Sequence, residues 1–172
     1  MNAPAPNLSI RPGKPGDHAA IRALLSAVFT RPEEADLVER LRADGDLVLE
    51  LVAVGPNPSL AGYVAFARLR IDSQEGRKPA VGLAPLAVAA EHRRQGIGST
   101  LIRIGLQFLA RRGETVVFVV GDPAYYRRFG FFTDAARGFA SEYSGPQFMA
   151  LPLVADAPRR GNLIYPAAFA GI

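Results

Sequence analysis

The residues best placed to do chemistry are Arg93-Arg94-Gln95-Gly96-Ile97-Gly98-Ser99, a turn between an apolar strand and an amphipathic helix. A helix that begins there offers unpaired backbone N–H groups in its first turn, and its peptide dipoles favour an anion at that end. Gly96 and Gly98 carry no Cβ, so a bulky phosphate can come close to the chain. Arg93 and Arg94 read either as phosphate ligands or as solvated turn residues, since the amides could hold a pyrophosphate alone. The turn is therefore expected to be a pyrophosphate cradle.

Two common phosphate turns fit poorly. A nucleotide P-loop needs Gly-x4-Gly-Lys-Ser/Thr, and no lysine occurs after Lys78. A dinucleotide turn needs a third small residue after Gly-x-Gly, but Gly98 is followed by Ser99, Thr100 and Leu101. The stretch does resemble the acetyl-coenzyme A turn of the GCN5-related N-acetyltransferases (GNAT), Gln/Arg-x-x-Gly-x-Gly/Ala. The apolar-x-Val that usually ends the family's preceding strand is matched by Leu86-Ala87-Val88. A second segment, Tyr126-x-x-x-Gly130-Phe131 within Gly121-Asp122-Pro123-Ala124-Tyr125-Tyr126-Arg127-Arg128-Phe129-Gly130-Phe131, resembles the family's aromatic landmark beside the acetyl group. Most members carry Asn early in that segment, where this chain has Gly121-Asp122-Pro123.

The resemblance implies an α/β fold (α+β by some schemes) over residues 1–172: a central mixed, mostly antiparallel sheet with a splayed parallel strand pair and flanking helices. It implies acetyl-CoA as co-substrate, no metal, and transfer of the acetyl group to a primary amine of a small molecule, protein or peptide. The cofactor would meet Leu86, Ala87, Val88, Arg93, Arg94, Gln95, Gly96, Ile97, Gly98, Ser99, Asp122, Tyr125, Tyr126 and Phe129. Tyr126 would protonate the leaving thiolate, and the backbone N–H of Val88 would bind the thioester oxygen. Both tyrosines also read as simple pocket-wall aromatics. The general base stays open among Glu50, Glu91, His92 and Asp122. A non-catalytic acyl-CoA-binding module is the alternative, and a homodimer is left open.

The elements that must position these groups follow from the composition and periodicity. The chain has 172 residues, 49% of them hydrophobic, enough for one core that buries about 70% of the unfolded surface. It has no cysteine and only His18 and His92, which excludes disulfides and thiol catalysis and disfavours a histidine metal site. The net charge is +4 and the pI near 9.8, but the arginines are scattered, which argues against nucleic acid as partner. No signal peptide or membrane span is expected, and a cytoplasmic address fits.

Residues 1–7 are expected to be a disordered lead, with a short edge strand at 8–11 ended by Pro12. Asp17 is expected to cap a helix at 18–29, and Pro32 to start a second that stops at Gly45. His18 reads as a surface residue of the first helical turn. Strands follow at 46–54 and 61–71, then a polar loop at 72–79. The β–α–β unit comprises a strand at 81–89, a helix at 98–112 and a buried strand at 115–120, parallel to the first. Pro85 cannot donate to a ladder, so that strand is expected to bulge and open a cleft. Strands near 147–153 and 161–166 close the chain.

Overall fold

A computed structural model describes residues 7–172, so the expected lead at 1–7 lies outside it except for Asn7. The elements are β1 (Ser9–Pro12), α1 (His18–Phe29), α2 (Glu33–Asp44), β2 (Leu47–Val54), β3 (Leu60–Ser73), β4 (Gly76–Val88), α3 (Ile97–Arg111), β5 (Val116–Val120), α4 (Pro123–Tyr126), α5 (Thr133–Ala136), β6 (Phe139–Ala140), β7 (Phe148–Pro152) and β8 (Gly161–Ile164). The sheet runs β1-β2-β3-β4-β5-β7, with β8 on the outer part of β3 and the two-residue β6 beside β8. Of the path's neighbours only β4 and β5 are parallel.

Alternation along the strands sorts side chains to two faces. On one, Val64, Phe66, Val81 and Leu83 pack with Ile97, Leu101, Ile102 and Leu109 of α3. On the other, Val52, Tyr63, Ala65 and Ala87 meet Ile21, Leu24 and Leu25 of α1 and Ala35 and Val38 of α2. The buried stripe of α3 is centred on Leu101, Ile102 and Gly105, with Ile104 and Phe108 only half-buried. Gly105 sets that rotation. A Cβ there would stand 2.4 Å from the Phe66 ring, so only glycine lets the helix lie this close to β3.

Two expectations need correction. Residues 72–79 are not a loop: β3 and β4 stay paired to their ends, with Ser73 opposite Gly76 and only Gln74-Glu75 between them. Gly76 takes φ +103° at this turn, and the polar side chains ride on paired strands, with Arg77 bound to Asp72 at 2.7 Å. Asp17 precedes α1 but its carboxylate does not cap it. It accepts two bonds from Arg11, at 2.7 and 2.9 Å, and one from the Lys14 N–H at 2.9 Å. The guanidinium offers a stronger, bidentate partner than the helix N–H groups. Periodicity missed α5 and β6, which are too short to show one.

Pro85 acts as expected. The β3–β4 register slips between Val64 and Phe66, where Leu86 and Leu83 are the partners and Ala84-Pro85 form the excess. The parallel pairing of β4 with β5 is confined to Val81–Val117 and Gly82–Phe118. Beyond it the two strands part.

Candidate active site

The cradle lies where β4 leaves β5. Ala89 donates its N–H to Ala61 of β3 at 2.9 Å. Successive N–H groups along a strand point to opposite edges, so Val88 turns its N–H toward the side from which β5 has withdrawn. The chain then turns through Arg94, at φ +63°, and Gly96, at φ +78°, into the first residue of α3. The left-handed conformation costs a non-glycine residue about 1–2 kcal/mol, which Arg94 bears and Gly96 avoids. No side chain caps α3, so its first N–H groups remain open to a ligand. Buried Gln95 Oε1 also lacks a hydrogen-bond partner among the described residues.

A cleft of about 330 Å³ opens at this point, lined by Leu86, Val88, His92, Arg93, Arg94, Gly96, Ile97, Gly98, Ser99, Tyr125 and Arg128. Nine of these eleven lie in one run of chain, from Leu86 to Ser99, where a cradle is expected. Arg128 was not singled out by sequence reasoning. Its guanidinium lies 4.6 Å from the Tyr125 ring centre and 5.6 Å from that of Phe129. The spacing Tyr125-x-x-Arg128, one helical turn, is the signal that could have found it. A larger groove of about 1150 Å³ lies at the outer end of the β3–β4 hairpin and shares no residue with the cradle turn or the aromatic segment.

The aromatic segment packs against the cradle. Tyr125 lines the cleft, and its hydroxyl lies 3.1 Å from where a Cβ on Gly98 would stand. Tyr126 sits behind it at 5.0 Å between ring centres, edge-on to Phe131 at 5.9 Å. A Cβ on Gly121 would come within 2.5 Å of the Tyr126 ring, which explains a glycine at the end of β5. Burial, and secondarily Tyr125, push the Tyr126 phenol up to about 12, so it is a neutral donor throughout the ordinary pH range. Phe129 closes the cluster, 5.3 Å from Tyr125. Asp122 is exposed and caps α4, its carboxylate accepting the Ala124 N–H at 3.0 Å. Ala87 faces the α1 side of the sheet instead of the cleft.

The base candidates separate. His92 lines the cleft and Glu91 is exposed beside it. Glu50 is engaged elsewhere: its nearly buried carboxylate accepts from Arg42 at 2.9 Å and from the fully buried Tyr63 hydroxyl at 2.7 Å. It sits on β2, which β3 separates from β4. That arrangement is a nearly buried ion pair under α2, and removing either partner would strand a buried charge. His18 opens α1, half-buried and away from the cleft.

These features recur in known proteins. The acetyltransferase (GNAT) domain profile matches residues 9–133. An Escherichia coli K12 protein named uncharacterized N-acetyltransferase YhbS is 39% identical over 138 residues, spanning 80% of this chain and 81% of its own. The same organism's uncharacterized N-acetyltransferase YjhQ is 34% identical over 134 residues, 76% of this chain and 74% of its own. The crystal structure of E. coli YhbS in complex with CoA superposes with a TM-score of 0.87 at 38% identity, covering 98% of this chain and 95% of that one. A Brucella melitensis GNAT acetyltransferase in complex with acetyl-CoA gives a TM-score of 0.80 at 33% identity, covering 95% and 98%. No helix among the described residues is long and apolar enough to cross a membrane. A turn, a parting strand pair and an aromatic segment that first suggested a family by resemblance thus coincide with whole-domain similarity, and the chain belongs to the GNAT acetyltransferases.

Proposed function

We propose that this protein transfers the acetyl group of acetyl-CoA to a primary amine by direct attack. The observation that carries the reading is the parting of β4 from β5 immediately before an uncapped helix N-terminus. One opening thereby joins an anion site to a free strand N–H. The amides of Arg93–Ser99 would hold the pyrophosphate, with Arg128 adding charge from the other wall, and the apolar Leu86 and Val88 would flank the pantetheine arm. The CoA and acetyl-CoA complexes of the two similar structures support this assignment.

In the reaction the neutral nitrogen attacks the thioester carbon, and the Val88 N–H stabilises the developing oxyanion. Collapse forms the C–N bond and breaks C–S. Coenzyme A leaves as a thiolate, of conjugate pKa about 8.5, and Tyr126 gives it a proton that solvent then restores to the phenol. A phenol held neutral to about 12 suits a donor. His92, on the cleft wall, is the nearest of the expected base candidates to the cradle turn and relays the amine proton to solvent. Acceptor amines are small molecules or protein and peptide amino groups, and the absence of cysteine suits a reducing, cytoplasmic setting.

Titration calorimetry with acetyl-CoA in EDTA tests the reading. Several charge-assisted contacts at about 1.5–3 kcal/mol each predict binding near micromolar after ordering costs. Absence of both heat and thermal shift would refute it, and binding without thiol release from acetyl-CoA in the presence of any amine would leave a non-catalytic module.

A further inference from the structure

A second cluster spans the sheet on the face away from α3. Tyr165 follows β8, which is bonded to β3 through Arg70–Ile164 and Ile71–Leu163. Tyr143 belongs to the loop before β7, which is bonded to β5, and the Gly121 N–H ties the end of β5 to Gln147 in that loop at 3.1 Å. The two rings nevertheless meet edge-on at 4.7 Å between centres. The loop also begins at β6, which pairs with β8, so the contact joins the β6–β8 side to the segment that leads into β7. Tyr165 packs into the group formed by Leu37 and Leu41 of α2, Phe169 and Ala84 of the β4 bulge, which fixes the face.

The bridge is braced by local hydrogen bonds and carries a charge. Ser141–Ser144 form a closed turn, with the Ser144 N–H on the Ser141 carbonyl at 3.1 Å and the Tyr143 N–H on Ser141 Oγ at 3.1 Å. Glu142 and Tyr143 occupy its two central positions. The Glu142 carboxylate is exposed, has no ion-pair partner among the described residues, and lies near enough to both phenols to act on their ionisation. Two aromatic rings beside an unpaired carboxylate make a site for an organic cation.

We propose that Tyr143, Tyr165 and Glu142 form the acceptor-recognition site of this enzyme and hold a second, permanently protonated group of the acceptor, whose other amine is acetylated. The inference rests on the transferase reading. The attacked thioester requires a neutral nitrogen, whereas the carboxylate and ring faces prefer a cation, so one nitrogen does not satisfy both. From Ala84 to Val88 β4 advances about 13 Å at 3.3 Å per residue, which sets the upper scale for the spacing of the two groups. The class is thus a small diamine, or an amine bearing a separate basic group.

The test compares 1,5-diaminopentane with 1-aminopentane in thiol-release kinetics with acetyl-CoA. Their amines have similar basicity, and two equivalent ends account for only a twofold difference. The parent is expected to prefer the diamine in kcat/KM by more than tenfold. Glu142→Gln and Tyr143→Leu should each lower kcat/KM for the diamine about tenfold, mainly through KM, and leave 1-aminopentane and acetyl-CoA affinity within twofold. Equal use of the two amines, variants that slow both equally, or acetyl-CoA binding with neither amine acetylated would each overturn the proposal. Failure of the parent to bind acetyl-CoA in calorimetry would instead strike the transferase reading beneath it.

Discussion

The Tyr125 hydroxyl lies 3.1 Å from the point where a side chain on Gly98 would begin, so one residue of the aromatic segment touches the phosphate turn directly. The two motifs, almost thirty residues apart in sequence, are halves of one wall. β5 brings them together: it pairs with β4 only at its start and delivers Gly121 and α4 back to the top of α3. On the proposed reading, space at Gly98 is shared between the cofactor and Tyr125.

Gly98→Val should therefore remove acetyl-CoA binding, weakening it at least about 100-fold, a loss of roughly 2.7 kcal/mol. The γ carbons would enter the turn and displace the Tyr125 hydroxyl, the free end of a side chain. Gly98→Ala, whose Cβ meets the movable Tyr125 hydroxyl at 3.1 Å and Val88 at an ordinary 3.5 Å, should bind within about tenfold of the parent. Calorimetry ranks the three proteins; equal affinity for Val and Gly would show that the cofactor sits elsewhere.

Tyr126→Phe should keep acetyl-CoA affinity within a few-fold and lower kcat by about 10²–10⁴. The ring stays against Gly121 and Phe131, so only the proton donor is lost. Tyr125→Phe removes the hydroxyl nearest the turn and should act on acetyl-CoA affinity more than on kcat. Steady-state kinetics with both substrates varied separates these patterns. If Tyr125→Phe alone lowers kcat, Tyr125 is the donor and the motif register is off by one.

How far the site could be read from the chain depends on whether its signal was local. The glycine turn into α3 was legible because Gly96, Gly98 and the helix that follows are contiguous, and Pro85 announced the bulge in β4. The choice between Tyr125 and Tyr126 was not, since it turns on Gly98, Gly121 and Phe131, which only the tertiary fold brings together. Glu50 stood among the base candidates because its partners Arg42 and Tyr63 lie on other elements. The polar run at 72–79 misled for a related reason: an exposed hairpin buries little, so its strands carry loop-like composition. Gly105 gave no local sign of its role, which depends on the Phe66 ring across the interface.

Asp17 supplies a pH-dependent part of the stability. Its hydrogen bonds from Arg11, then from the Lys14 N–H, hold its carboxyl down at about 2, below the ordinary 3.8. A depressed folded-state pKa stabilises above the unfolded value, and the contribution fades as pH falls from about 4 toward 2. Asp17→Asn should cost about 1.5–3 kcal/mol at pH 7, the range for a hydrogen bond to a charged group. Urea denaturation across pH should show parent and variant converging as pH falls from about 4 to 2. A constant difference down to pH 2 would mean that the ion pair does not form.

Arg128 tests the side of the cleft that sequence reasoning overlooked. Its guanidinium rests over Tyr125 and, among the described residues, forms no ion pair, while its Nε–H reaches the Tyr125 carbonyl at 3.3 Å, long for a strong bond. Such exposed contacts contribute little to stability, so Arg128→Ala should cost less than about 1 kcal/mol of folding free energy. Facing a pyrophosphate, the same group makes charge-assisted bonds, and its loss should weaken acetyl-CoA binding about tenfold, or roughly 1.4 kcal/mol. Arg128→Lys keeps the charge but not the planar fork, and should recover only part of that affinity. The loss should also shrink as ionic strength rises, because an exposed charge pair is screened over about 10 Å at 0.1 M salt. Calorimetry at low and high salt reads all three effects; an alanine variant that binds like the parent at low salt would remove Arg128 from the cofactor site and leave the backbone amides of the turn to hold the pyrophosphate alone.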